Sequence, residues 1–208
     1  MSLKNKYPPI FLKLWCSSHG KPWHGLPEAL SKSMHDVGRF SEPIFDSVSG
    51  REINDEVVAL IRTDMSSRSG RQVHIIIMGG NNIRSKGHPT FIIPHFRSIL
   101  EHSDSIKGCF VLVVGLLPSP KTDNFSKSQF ISANTLLKKL TFRFLLTSSF
   151  LNVAKHFVKE VNEGKKGSKE PNPIFFKKDG IHLSYDGSLK LAKLLQVALI
   201  SIPNSKFE

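Results

Sequence analysis

Two segments, residues 72–78 (QVHIIIM) and 109–114 (CFVLVV), are apolar and rich in β-branched side chains, with little alternation of apolar and polar positions. A strand with one wet face alternates. A strand that stays apolar along its length is covered on both faces, as in a parallel sheet held between two layers of helices. Residues 10–16 (IFLKLWC) are of the same kind, and residues 43–48 (PIFDSV) and 150–154 are further strand candidates. Helical patterns separate them. Residues 26–34 suit a short helix, and Ile53, Val57, Leu60 and Ile61 recur at helical spacing. Residues 89–102 carry a helical pattern that Pro94 must delay or kink. Residues 126–144 place Phe130, Ala133, Leu137 and Leu140 on one face, and residues 184–200 form an amphipathic helix. Residues 163–172 read as a polar loop. Strand and helix in alternation predict a three-layer α/β/α sandwich with about five parallel strands and right-handed crossovers. The chain has 208 residues, no internal repeat and no dividing linker, so 1–208 is expected to be a single domain.

Cys16 and Cys109 lie among apolar residues and are expected to be buried free thiols. No apolar run reaches the ~18 residues of a membrane helix, and the basic N-terminus leads into a strand pattern rather than a signal peptide. An intracellular, cytoplasmic protein without a membrane span is the expectation. No metal-ligand spacing is present among the histidines, including His19, His24 and His74, which are expected to be surface or hydrogen-bonded groups. Neither a metal nor an organic cofactor is expected.

Charge is the unusual property. The net charge is +12, and residues 121–178 hold 12 Lys and Arg against four acids. Such a surface suits a phosphate-rich partner, RNA or DNA, or an anionic membrane, or serves as a solvated face.

The loops after the strands carry the chemistry. The first strand runs into Cys16-Ser17-Ser18-His19-Gly20, the second into Ser49-Gly50-Arg51, and the third into Gly79-Gly80-Asn81-Asn82. Asp179-Gly180-Ile181-His182-Leu183-Ser184 precedes the last helix. In parallel sheets, functional groups collect at the strand C-termini. An aspartate three residues before a histidine can accept a hydrogen bond from Nδ1, fixing the tautomer and leaving Nε2 as a base. A serine at the mouth of the first strand can act as nucleophile. A glycine N–H and an asparagine amide from neighbouring strand ends can stabilise an oxyanion.

These loops resemble the SGNH hydrolase superfamily, the GDSL-type esterases and lipases. Ser18 stands at the family's nucleophile position, with Cys16 and Ser17 where the family has Gly and Asp. Gly50 matches the glycine of the second block. Gly79-Gly80-Asn81-Asn82 matches Gly-x-Asn-Asp at three of four positions, and Asp179 and His182 match Asp-x-x-His in full. The resemblance implies a flavodoxin-like sheet with strand order 2-1-3-4-5. It implies a Ser18–Asp179–His182 triad with an oxyanion hole from Gly50 and Asn81, acting on a small acyl ester. The altered first block and the basic excess sustain an alternative. In it, a catalytically degenerate SGNH-like domain binds RNA or DNA through basic groups such as Lys165, Lys166 and Lys169.

Overall fold

A strand of continuous apolar residues needs cover on both sides, and the computed structural model shows how the chain provides it. The structure describes residues 8–17, 26–35, 38–48, 50–160 and 169–207. Five parallel strands form the sheet: β1 (Phe11–Ser17), β2 (Ile44–Val48), β3 (Gln72–Ile77), β4 (Cys109–Val114) and β5 (Ser148–Leu151). Their order is β2-β1-β3-β4-β5, the one the resemblance implies.

Alternate side chains of the central strands enter two separate cores. Leu12, Leu14, Val73, Ile75, Leu112 and Val114 pack against helices α1 (Leu26–His35) and α6 (Tyr185–Ile200). Trp15, Ile76, Val111 and Val113 face the opposite layer. That layer holds α2 (Asp55–Ser66), α3 (Gly80–Lys86), α4 (Ile93–Asp104) and α5 (Asn124–Phe142). This is the three-layer sandwich. Its cost in backbone polar groups is met by the ladders inside and by caps at the helix ends. Asn54 accepts from Val57 N–H at 2.9 Å, Asp123 from Ser126 N–H at 2.8 Å, and Ser184 from Gly187 N–H at 3.1 Å.

Pro94 delays its helix rather than kinking it. A single 3-10 turn spans Pro89–Phe91, and Pro94 sits in the first turn of α4, where its missing N–H costs nothing. The fifth strand starts two residues before the expected one. Two elements are additions to the sequence reading. The short helix α3 follows β3 directly, and β6 (Val158–Glu160) pairs antiparallel with β7 (Lys169–Pro171), which falls inside the expected polar loop. Cys16 and Cys109 are buried free thiols. No helix of the described residues is long and apolar enough to cross a membrane.

Candidate active site

The C-terminal edge of the sheet is built from turns that the backbone can make only with particular residues. β1 ends at Ser17, which pairs in register with Val48, the last residue of β2. Gly50 follows at φ +66°, a left-handed conformation that side chains rarely adopt, and Arg51 N–H closes the turn on Val48 C=O at 3.3 Å. Arg51 also reaches back to the Asp46 carboxylate at 2.6 Å.

Beside this turn stands the N-terminus of α3. Gly79 at φ +104° turns the chain from β3 into the helix; a Cβ there would lie 3.2 Å from Ile92. The next two asparagines divide their labour. Asn82 is fully buried, and its amide forms a two-way clamp on Ile53. Its Oδ1 accepts from Ile53 N–H at 2.9 Å and its Nδ2 donates to Ile53 C=O at 2.9 Å. A neutral amide can do both, where the family's aspartate could only accept. Asn81 donates from Nδ2 to Arg51 C=O at 3.2 Å, so it lies beside the Gly50 turn as the sequence predicts. Its Oδ1 accepts from the Arg84 guanidinium at 3.1 Å. The carbonyl end of the amide is thereby fixed, and both amide protons are directed from Nδ2.

The Asp179 loop is tied down from several sides. His182 Nδ1 meets Asp179 Oδ2 at 2.5 Å, while Asp179 Oδ1 accepts from the backbone N–H groups of Ile181 at 2.8 Å and His182 at 2.9 Å. Burial opposes the carboxylate, but the bonds from the His182 ring and from these two N–H groups outweigh it. Together they hold the Asp179 carboxyl well below the ordinary aspartate range. Asp179 is therefore a permanent anion near neutrality, the state that orients an imidazole and stabilises its protonated form. Lys177 N–H donates to His182 C=O at 2.7 Å and Ser184 N–H to Phe175 C=O at 2.9 Å, closing the loop before α6. Gly180 at φ +65° rests against the Lys121 side chain, in the segment that follows β4. The Asp–His loop is thus held against the segment that follows β4, where Lys121 N–H also donates to Gly180 C=O at 3.4 Å.

Ser18, the expected nucleophile, lies outside the described residues, as do His19 and His24. The structure brings Asn81 to the Gly50 turn and His182 to Asp179. It places Ser17, the residue before Ser18, at the adjoining strand end. Cys16 is not a rival nucleophile. Burial pushes its thiol pKa up, against a lowering bond to Ser47, so it stays a neutral thiol packed in the core. Lys165 and Lys166 also lie outside the described residues. Lys169 is exposed in β7, opposite Glu160 in the hairpin register, and Lys159 stands opposite Glu170, so acids are interleaved with bases there.

Sequence reasoning missed two groups. Arg84 holds Asn81 from one turn further along α3, a position recognisable only once α3 is known to be a helix. Asn134 clamps the segment after β4 as Asn82 clamps Ile53. Its Oδ1 accepts from Leu116 N–H at 2.7 Å and its Nδ2 donates to Leu116 C=O at 2.9 Å. The available signal was a single amide one residue from Ala133 on the apolar face of α5.

No protein-family model matches the sequence, and no curated protein matches it. Solved structures do match in fold. A crystal structure of TesA is similar at a TM-score of 0.68 and 16% identity, covering 91% of this chain and 97% of that one. Est24, a carbohydrate acetylesterase from Sinorhizobium meliloti, is similar at 0.65 and 14% identity, covering 93% of this chain and 100% of that one. The inhibitor-bound form of an M. smegmatis aryl esterase is similar at 0.63 and 14% identity, covering 93% and 100%. The likeness is one of fold, and it spans nearly the whole of each chain.

Proposed function

We propose that the protein is a serine ester hydrolase of the SGNH type, acting on a small acyl ester. The observation that carries this reading is the Asp179–His182 pair: a carboxylate held by one ring nitrogen and two backbone N–H groups. The fold shared with an acetylesterase and an aryl esterase supports it.

In this mechanism Ser18 Oγ bonds to the ester carbonyl carbon while its proton passes to His182 Nε2. Nδ1–H, committed to Asp179, keeps the ring in the tautomer that can accept that proton. The carbonyl oxygen becomes an oxyanion, received by the N–H groups of Ser18 and Gly50 and by the Asn81 amide. Collapse breaks the ester C–O bond, and the imidazolium returns its proton to the departing alcohol. Water repeats the sequence on the acyl-Ser18 ester and releases the carboxylic acid. Cys16 and Ser17 stand where the resembled family has Gly and Asp, and without that aspartate's hydrogen bonds the rate should fall, so a slow enzyme is expected.

The test is hydrolysis of p-nitrophenyl acetate by purified protein. Ser18→Ala and His182→Ala should abolish turnover, and Asn81→Ala should lower kcat by about 10²–10³, the usual cost of one oxyanion donor. Ser17→Ala, run in parallel, checks the register of the nucleophile. Equal rates in the wild type, Ser17→Ala and Ser18→Ala would sink the reading and leave the fold as a binding domain.

A further inference from the structure

The two most exposed large apolar side chains among the described residues stand four positions apart: Phe142 at 69% and Leu146 at 75%. Leu145 lies between them and is also exposed. They form the tip of the turn that leads from α5 into β5, at the N-terminal edge of the sheet and opposite the candidate active site.

This tip is not a frayed end. Phe144 is half-buried and packs against the core. Thr147 and Ser148 N–H both close on Phe144 C=O, at 3.0 and 2.7 Å. Ser148 Oγ bonds to Phe144 C=O at 3.0 Å, Thr147 Oγ1 bonds to Asp104 at 2.7 Å, and Lys206 Nζ caps Leu145 C=O at 2.8 Å. A turn held this firmly presents its apolar side chains to water by construction. That costs solubility and calls for a partner.

Charge identifies the partner. Lys138, Lys139 and Arg143 are exposed around the tip, and residues 124–159 contain six Lys and Arg and no acid. Exposed apolar side chains flanked by Lys138, Lys139 and Arg143, with Asp104 the acid bonded to the turn, match an anionic lipid surface. The apolar groups enter the acyl boundary and the cations meet headgroup phosphates. A nucleic acid would use the cations but gain nothing from two leucines. A second copy of the chain would set like charges face to face. We propose that the turn around Phe142, Leu145 and Leu146 docks the protein peripherally on an anionic bilayer. The opposite edge of the sheet then remains open to water.

Vesicle sedimentation tests this independently of any hydrolase activity. The probes are phosphatidylcholine vesicles with and without about one third phosphatidylglycerol. The wild type should partition onto the anionic vesicles about tenfold or more above the neutral ones, and less as salt rises. Phe142→Ser with Leu146→Ser should lower that partition at least about tenfold, from the apolar surface lost. Lys138→Gln, Lys139→Gln and Arg143→Gln together should remove the preference for anionic lipid. Unchanged circular dichroism melts show that these surface variants fold. Several outcomes overturn the proposal: no uptake by the wild type, uptake that ignores the apolar variants, or RNA binding without vesicle binding. Self-association abolished by Leu146→Ser, without vesicle binding, assigns the tip to a second copy instead.

Discussion

His74 has no exposed surface, yet both of its ring nitrogens are used. Trp15 Nε1, which can only donate, reaches Nδ1 at 3.1 Å, so the proton resides on Nε2 and is donated to Gln72 Oε1 at 2.7 Å. Gln72 Nε2 in turn donates to Met65 C=O at 3.1 Å, which fixes the amide. Burial lowers the His74 pKa from 6.5 to about 4: a second proton would bring a charge into the core, and the pull of Asp64, itself opposed by Lys13 and Arg68, does not offset that cost. The unfolded chain binds that proton in the window between the two values and the folded chain does not. The stabilisation is therefore complete above about pH 6.5 and is lost as pH falls towards 4, amounting to about 3 kcal/mol. Urea unfolding at a series of pH values should show this slope. In His74→Leu the slope should shrink, and the protein should be destabilised by about 2–4 kcal/mol with Trp15 Nε1 and Gln72 Oε1 left unpaired. At the site, Arg84→Met should release the carbonyl end of Asn81 and lower kcat by about tenfold with little change in KM, approaching the loss in Asn81→Ala without matching it. An Arg84→Met enzyme with wild-type kcat would show that Asn81 is oriented by Arg51 alone. The residues of the Asp-x-x-His block and Asn81 were legible in the sequence because their chemistry depends on local spacing. The His74 network was not, because Trp15 is 59 residues away and only the sheet register brings it near.

At the level of elements, α6 shows how tightly the last helix is joined to the site. Gly187 lies in its first turn, and a Cβ there would sit 2.2 Å from the Phe175 carbonyl oxygen. That carbonyl is the acceptor for Ser184 N–H, the residue that caps the helix. Gly187→Ala would therefore push α6 off the segment that carries Asp179 and His182. Thermal melts should show a destabilisation of about 3 kcal/mol or more, and esterase activity should fall with it. A melt within about 0.5 kcal/mol of wild type would mean that the helix can shift without cost. The long strands and helices were legible because their apolar patterns are long enough to fix both period and direction. The short helix α3 was not, since its seven residues begin with glycine and bury only Asn82 and Ile83, too few to set a period. The β6–β7 hairpin was hidden for a related reason. Each strand is three residues long and mostly exposed, so neither shows the alternation of a sheet with one buried face.

Over the whole molecule, the strand order β2-β1-β3-β4-β5 sets β1 and β3 side by side. This order leaves the loop after β2 one strand away from the loop after β3, where Asn81 bonds to Arg51. One of the two cores depends on the end of the chain. Leu191, Ala192, Leu195, Leu199, Ile202 and Phe207 cover the face formed by Leu12, Leu14, Val73 and Ile75. A chain lacking residues 172–207 should keep its α2, α4 and α5 layer but expose the other face. It should bind a hydrophobic dye more strongly than the full chain and elute as aggregate in size-exclusion chromatography, where the full chain should not. The same arrangement sets a timetable. A polypeptide is made from its N-terminus, so all five strands of the sheet leave the ribosome before Asp179 and His182 have been joined to it. Until α6 docks, the newborn protein is sticky, with half its interior bare and the Asp179–His182 pair not yet in place. The step that shields it from chaperones is also the one that brings that pair to the sheet.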